Sequence, residues 1–210
     1  MIYLIGGPPR GGKTTLAEAL AKKKSIPYFS IDHVASVIGP YVPAGEYKRA
    51  FPLHIAAEES SYSNDVFYAK YSSRQVVDFY LRQAETCWPG VENFIKYALE
   101  DEHDLILEGW QILPCFLRSV ITSENQPRLK ILFLYKADME AIVAGLKANR
   151  AKNDWVIKNT KNESTFPAIA GMISRFGSYI EAEAEKYNLQ AINTDFDFKQ
   201  KIAGSLRMLL

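Results

Sequence analysis

A glycine-rich segment near the start of the chain has the spacing needed to hold a phosphate group. Residues 7–14 read GPPRGGKT, a glycine followed by four residues and then Gly-Lys-Thr. This is the Walker A pattern, and it stands between an apolar predicted strand and a predicted helix, as that pattern requires. Glycines let the backbone approach a phosphate, and the helix N-terminus adds unpaired N–H groups. The segment, called here the phosphate loop, therefore predicts a nucleoside triphosphate site, with ATP and Mg²⁺ as the expected ligands.

Two prolines narrow the set of backbone donors in the phosphate loop. Pro8 and Pro9 carry no N–H group, so they stiffen the turn while the donors come from residues 10–15. We expect Lys13 to reach the β- and γ-phosphates, the Thr14 hydroxyl to ligate Mg²⁺, and Thr15 to contact the α-phosphate. The predicted nucleotide-binding residues of this region are Gly7, Arg10, Gly11, Gly12, Lys13, Thr14 and Thr15.

Two carboxylates follow predicted strands farther along the chain. Asp32 ends the second strand and Glu108 ends the third. Because ligands of open α/β sheets bind beyond the carboxyl ends of the strands, both side chains should stand near the phosphates. Asp32 could accept a proton from an attacking hydroxyl, or it could simply cap the helical segment that begins at His33. Glu108 could hold Mg²⁺ through water, or it could be a loop carboxylate before a glycine turn.

A polar stretch, residues 151–165, has no apolar periodicity and follows the helix of the fourth strand. Its lysines, with Arg150 just before it, could form a lid that closes over the phosphates and neutralises charge in the transition state. For Lys152, Lys158 and Lys161 a solvated surface loop is the better interpretation. For Arg150 a catalytic role and a surface role stand about even, since a guanidinium suits phosphate oxygens.

Apolar runs and helical periods alternate along the whole chain. This alternation predicts an α/β fold with a parallel sheet and right-handed crossovers, formed by a single domain. The predicted strands are residues 1–5, 26–31, 104–108, 130–135 and 190–193. The predicted helices begin near residues 13, 74, 114, 138 and 167, and a last helix runs to the C-terminus. Pro89 falls within the second of these helices, so we expect a kink or two abutting helices.

The region 39–73 interrupts this alternation with prolines and many aromatic residues. We interpret it as an irregular or short-helical insert that forms a cap on the substrate side. The composition limits the partners. A net charge of +1 does not suggest a duplex-binding protein, and no apolar run has membrane length. Two cysteines, Cys87 and Cys115, form no disulfide framework, which favours a cytoplasmic location.

The segments 2–20, 30–32 and 104–114 together resemble the small P-loop kinases. The likeness is to the 2-phosphoglycerate kinase and zeta-toxin-like branch, with the chloramphenicol phosphotransferases nearby. The resemblance implies a three-layer P-loop NTPase fold with a five-stranded parallel sheet in the order 2-3-1-4-5, a small helical cap and a lid. It also implies that Asp32 is the base or acceptor anchor, that Glu108 is the Mg²⁺-side acid and Arg150 a lid arginine, and that Thr194 and Asp195 lie near the adenine.

One departure from that resemblance bears on the acceptor. The run EGWQ at residues 108–111 lacks the Asp-Gly-aromatic-Pro-Arg run of adenylate kinases, which counts against a nucleoside monophosphate. The leading hypothesis is thus an ATP-dependent phosphotransferase acting on a hydroxyl of a small molecule. The alternatives are an ATPase or switch module without such an acceptor, and a nucleotide-binding protein without catalysis. The sequence predicts no oligomeric state.

Overall fold

The computed structural model describes residues 1–148 and 154–210, and within them a five-stranded parallel sheet forms the centre. The strand order is β2-β3-β1-β4-β5, which confirms the predicted fold class. The strands are β1 (Ile2–Gly6), β2 (Tyr28–Ser30), β3 (Leu105–Glu108), β4 (Leu129–Tyr135) and β5 (Ala191–Asn193). The second strand is shorter than predicted, because Ile31–His33 turns into a 3₁₀ helix that carries Asp32.

Helices cover both faces of the sheet. In chain order they are α1 (Lys13–Lys24), α2 (Val34–Ile38), α3 (Ala44–Ala50), α4 (Pro52–Glu59), α5 (Asn64–Lys70), α6 (Ser73–Glu100), α7 (Met139–Ala148), α8 (Trp155–Asn159), α9 (Phe166–Lys186) and α10 (Phe198–Leu209). The segment predicted as a short helix near residue 114 is a 3₁₀ helix, Pro114–Ser119. The helices α1 and α10 pack on one face, while α6 and α9 pack on the other, so the molecule has three layers.

The core is divided between the two faces because side chains of a strand alternate in direction. In β1, Ile2 and Leu4 join the large cluster under α6 and α9. Tyr3 and Ile5 of the same strand join the smaller cluster under α1 and α10. Burial on both sides explains why this strand reads as a continuous apolar run.

The helix α6 passes through Pro89 as one element of 28 residues, and not as two abutting helices. A proline removes one helical hydrogen bond, which weakens a helix. Here a long buried stripe, which includes Val76, Ala84, Val91 and Ile95, packs against the sheet and α9 on both sides of the proline. This tertiary packing outweighs the local defect.

Residues 39–73, called here the cap, form the short helices α3, α4 and α5, and their place on the substrate side stays a prediction. The cap packs on α6 through α4, and a buried phenylalanine, Phe51, anchors the start of α4. Within the described ranges 1–148 and 154–210, no helix combines the length and the apolar character needed to cross a membrane.

Candidate active site

The parallel register brings the phosphate loop and both predicted carboxylates to one edge of the sheet. Glu108 of β3 is level with Ile5 of β1 on one side and with Ser30 of β2 on the other. The phosphate loop leaves β1 one residue beyond Ile5, and Asp32 follows two residues after Ser30. Three neighbouring strand ends therefore deliver the loop and the two acids to one place.

The phosphate loop requires glycine at two positions that the sequence supplies. Gly7 and Gly12 have φ angles of 132° and 102°, in the region that side chains disfavour. A Cβ atom on Gly7 would lie 2.0 Å from the Leu134 carbonyl oxygen, and one on Gly12 would lie 2.7 Å from the Phe198 ring. The loop is thus held tightly against β4 and α10.

Lys13 and Thr14 form the first turn of α1 and point toward the strand ends. Lys13 is buried, and its Nζ donates a hydrogen bond to the Pro8 carbonyl oxygen at 2.9 Å. The Thr14 hydroxyl donates to Glu108 Oε1 at 3.2 Å. The hydroxyl predicted to ligate Mg²⁺ and the acid predicted to stand beside that ion are therefore in direct contact.

Glu108 is 1% exposed, which is unusual for a carboxylate. Its Oε1 accepts from Thr14, while Oε2 has no hydrogen-bond partner among the described residues. Burial raises the pKa of Glu108 and the charge of Asp32 raises it further, whereas the nearby Lys13 ammonium lowers it. A buried carboxylate oxygen without a partner is energetically unfavourable, so this site fits a cation or a cation-bound water.

Asp32 is exposed at the mouth of the same site. Its Oδ1 accepts a hydrogen bond from the Trp110 backbone N–H at 3.3 Å. The fully buried Gln111 fixes the adjoining turn, since its Nε2 donates to the Ile31 carbonyl oxygen at 2.9 Å. Sequence reasoning did not single out Gln111, although its position three residues after the strand-ending Glu108 was a usable signal.

A cavity of about 550 Å³ opens in front of the phosphate loop. It is lined by Arg10, Gly12, Lys13, Thr14, Thr15, Lys136, Ala141, Gly145, Asp154, Asp195 and Phe198. Lys136 was not predicted, although it directly follows β4 and thus stands at a strand end. Burial lowers its pKa, and its Nζ donates to the Thr194 carbonyl oxygen at 2.5 Å.

Thr194 and Asp195 both follow β5, but they have different surroundings. Thr194 is fully buried, and its hydroxyl donates to the Gly11 carbonyl oxygen at 2.9 Å, so it supports the phosphate loop from behind. Asp195 lines the cavity and accepts from the backbone N–H groups of Ala137 and Asp138 at 2.9 and 3.0 Å. The predicted contact of these two residues with adenine stays a prediction.

The segment 154–165, called here the closing segment, connects the phosphate loop to the cap. Asp154 forms an ion pair with Arg10 of the phosphate loop and also caps α8 by accepting from the Val156 N–H at 3.0 Å. The predicted lid residues Arg150 and Lys152 lie outside the described residues. Lys158 and Lys161 are exposed and do not line the cavity in front of the phosphate loop, in agreement with the surface interpretation.

The donor atoms of the site suit ATP with Mg²⁺. Magnesium in nucleotide sites is held by one or two protein oxygens together with phosphates and water, and it needs no all-protein cage. The Thr14–Glu108 pair supplies such oxygens, and the described residues contain no cluster of three metal-binding His, Cys, Asp or Glu side chains. The loop backbone, Lys13 and Arg10 supply the complementary positive field for phosphates.

Comparison with known proteins gives limited matches. No protein-family model matches the chain. A mevalonate-3-phosphate 5-kinase from Thermoplasma acidophilum is 27% identical over 121 residues, which are 57% of this chain. The aligned part is 55% of that kinase, so the chain matches about half the length of this curated relative.

Solved structures resemble the chain over its whole length at low identity. A shikimate kinase from Bacteroides thetaiotaomicron has a TM-score of 0.49 and 17% identity, covering 100% of this chain and 96% of its own. A shikimate kinase from Aquifex aeolicus has a TM-score of 0.42 and 13% identity, with coverage of 100% and 96%. Likenesses this weak say nothing about the ligands of the present chain. Its own strand order and phosphate loop give it the P-loop NTPase fold.

Proposed function

We propose that this chain is an ATP- and Mg²⁺-dependent phosphotransferase that moves the γ-phosphate to a hydroxyl of a small molecule. The observation that carries the proposal is the buried Glu108, which accepts from the Thr14 hydroxyl and keeps one oxygen without a partner. A binding loop alone needs no such acid. Burial of a carboxylate oxygen without a partner is energetically unfavourable, so its presence beside Lys13 and Asp32 indicates chemistry on the terminal phosphate.

The donor side acts by holding and neutralising phosphates. When ATP binds, Lys13 would give up its hydrogen bond to the Pro8 carbonyl oxygen and donate to β- and γ-phosphate oxygens instead. The N–H groups of residues 10–15 would surround the triphosphate. Thr14 and Glu108 would hold Mg²⁺, which would supply positive charge that offsets the charge developing on the phosphate oxygens. Because these donors are fixed by the strands, little reorganisation is needed when the charge develops.

The acceptor side acts through Asp32. In the transfer, the acceptor oxygen forms a bond to the γ-phosphorus, the bond from that phosphorus to the β–γ bridging oxygen breaks, and ADP leaves. The hydroxyl proton passes to the Asp32 carboxylate, which is oriented by the Trp110 N–H. Exposure at the site mouth leaves Asp32 accessible to an incoming hydroxyl.

Two observations favour an acceptor over a switch module. A cavity of about 220 Å³ lies between the cap and the closing segment, in addition to the cavity in front of the phosphate loop. The relative that aligns over 57% of the chain carries a kinase name. A switch that answers only to a protein partner has no use for a second small-molecule cavity.

The test is incubation with γ-labelled ATP, Mg²⁺ and a pooled extract of small metabolites, followed by separation of labelled products. We expect label on an extract compound, formed together with ADP and absent with Lys13→Ala. The exposed α1 residue Lys23 provides the matched control, since Lys23→Ala should behave as the unchanged protein. Label found only in inorganic phosphate, at a rate that the extract does not alter, would contradict the proposal.

A further inference from the structure

The cavity under the cap is separate from the cavity in front of the phosphate loop. It measures about 220 Å³ and lies among α4, α5, α6 and α8. Apolar walls come from Leu53, Phe67, Val76 and Trp155. This volume lies below the range of drug-sized pockets, so the cavity suits a compound of about one ring.

The closing segment seals this cavity on the side away from α6. The side-chain amide of Asn64 donates to Thr160 Oγ1 at 3.0 Å and to the Trp155 carbonyl oxygen at 3.4 Å. Asp65 accepts from the Lys161 N–H at 2.9 Å and from the Thr165 hydroxyl at 2.5 Å. Trp155 is thereby held in place as one wall of the cavity.

The closing segment also places the cavity under the cap next to the cavity in front of the phosphate loop. Asp154 lines the cavity in front of the phosphate loop, and the next residue, Trp155, lines the cavity under the cap. Two consecutive residues of the closing segment thus line two different cavities. The Arg10–Asp154 ion pair holds this segment to the phosphate loop.

A second connection runs through the aromatic wall to the proposed base. Tyr80 lines the cavity under the cap, and its ring meets the Trp110 ring edge to face at 4.9 Å between centroids. The Trp110 N–H in turn donates to Asp32. Burial raises the pKa of the Tyr80 hydroxyl, and the charge of Asp32 raises it further, so this wall stands within electrostatic range of the base.

The polar groups of the cavity are uncharged. None of its described lining residues is Asp, Glu, Lys or Arg. His54 lines it too, and burial lowers the pKa of that imidazole, which keeps it neutral near pH 7. Tyr68 and Tyr80 line it as well, and both are uncharged side chains that can contact a ligand.

We propose that the cavity under the cap binds the body of the acceptor, and that the acceptor is an uncharged, mainly apolar alcohol of about one ring. This inference rests on the proposed phosphotransferase function. An acidic acceptor would leave its charge without a partner among the described walls, and such burial is strongly unfavourable. A neutral alcohol would instead pack on Phe67 and Trp155, use the tyrosine hydroxyls, and direct its reacting hydroxyl past Tyr80 toward Asp32.

Two probes that differ mainly in charge test this inference. They are 4-methylbenzyl alcohol, which is neutral, and 4-(hydroxymethyl)benzoate, which is anionic. Binding of each is measured by calorimetry on the full chain, with Mg²⁺ and a non-hydrolysable ATP analogue present. We expect the neutral probe to bind with at least a tenfold lower dissociation constant. Equal or tighter binding of the benzoate would overturn the inference, as would no saturable binding of the neutral probe at millimolar concentration.

Variants locate the binding. Ala57 lines the cavity under the cap, so Ala57→Phe should fill it and abolish binding of the neutral probe. Gly45→Phe is the matched control, because Gly45 is an exposed cap residue with open space where its Cβ would lie. Unchanged calorimetric binding of the ATP analogue shows that each variant is folded. Neutral-probe binding that survives in Ala57→Phe would overturn the assignment.

Phosphate transfer to the neutral probe is measured separately with γ-labelled ATP. Binding that depends on Ala57, combined with no transfer to any alcohol, would contradict the proposed function while leaving the binding chemistry of the cavity in place. Transfer to acidic acceptors alone would leave the proposed function in place and overturn the inference about the acceptor.

Discussion

The hydrogen bonds that close the turn of the phosphate loop and those that join the cap to the closing segment span very different distances along the chain. In the phosphate loop, Lys13 bonds to Pro8, five residues away, and Gly11 bonds to Pro8 at 3.3 Å. In the cap, Asn64 and Asp65 bond to Thr160 and Thr165, 96 and 100 residues away. The turn of the phosphate loop is therefore closed by local hydrogen bonds, although the Thr14–Glu108 and Thr194–Gly11 bonds hold it to distant strands, whereas the cap meets the closing segment through long-range contacts alone. Substitutions in the phosphate loop and in the cap should therefore have different effects on the protein.

The largest expected effect falls on the phosphate loop. Lys13→Ala removes the cation that offsets phosphate charge, and we expect phosphate transfer to fall by about 10³-fold or more, with weaker ATP binding. The measurement is label transfer from γ-labelled ATP, with exposed Lys23→Ala as control. Transfer within tenfold of the unchanged protein would remove Lys13 from the mechanism.

The next largest effect concerns Glu108, where we expect one substitution to lower activity and to raise stability. Glu108→Gln should lower activity by about 10- to 100-fold and raise the Mg²⁺ concentration needed for half-maximal rate. The ligand-free variant should nevertheless unfold at a higher temperature near pH 7, because burial raises the pKa of Glu108 and so disfavours its charged form in the folded protein. This pattern would show that the acid is kept for function.

The gain in stability expected for Glu108→Gln should change with pH in a defined direction. Burial raises the pKa of Glu108 in the folded protein above its value in the unfolded chain. The destabilisation caused by its ionisation is thus absent below the unfolded pKa and grows as pH rises through the folded pKa. The difference in Tm between Glu108→Gln and the unchanged protein should shrink from pH 7 to pH 4. A difference that widens on acidification would contradict the burial argument.

The Arg10–Asp154 ion pair joins the two regions, and its removal should strengthen nucleotide binding. Asp154→Asn keeps a capping side chain on α8 and removes a negative charge from the phosphate cavity. We expect the dissociation constant of Mg²⁺–ATP to fall about threefold to fivefold, since a part-exposed pair contributes up to about 1 kcal/mol. The control is Asp138→Asn, which alters the cap of α7. Weaker ATP binding by Asp154→Asn would show that Asp154 supports the nucleotide.

The smallest effect concerns the contact between the cap and the closing segment. Asp65→Ala removes hydrogen bonds from Lys161 and Thr165 and should lower the free energy of unfolding by about 1 kcal/mol. Chemical denaturation measures it, with the exposed α6 residue Asp78→Ala as control.

Acidification tests the same contact. The Thr165 hydroxyl, followed by the backbone N–H of Lys161, holds the pKa of Asp65 below its usual value. The contribution of Asp65 is therefore complete above the unfolded pKa and is lost as pH falls through the folded pKa. A destabilisation by Asp65→Ala that is independent of pH would contradict this origin.

The comparison also explains what the sequence could reveal. The Walker A spacing and the apolar strands are local patterns, so the fold and the positions of Lys13, Thr14 and Glu108 at the strand ends followed from them. The direct contact of Glu108 with Thr14 agrees with the predicted roles, which remain proposals.

Other features depend on contacts that no local pattern encodes. Asp154 pairs with Arg10 across 144 residues of sequence, and Tyr68 and Trp155 line a cavity that no motif describes. The continuity of α6 through Pro89 likewise comes from packing against the sheet and α9. For these features, local sequence patterns either predict nothing or predict a different structure.

The most direct test of the account is the rate of label transfer to an identified hydroxyl acceptor at saturating Mg²⁺–ATP, measured for the unchanged protein and Asp32→Asn. For Asp32→Asn we expect that rate to fall about 10²- to 10⁴-fold, with the dissociation constant of ATP changed by less than about threefold. Transfer by Asp32→Asn within about twofold of the unchanged rate would contradict the claim that Asp32 takes the proton from the acceptor.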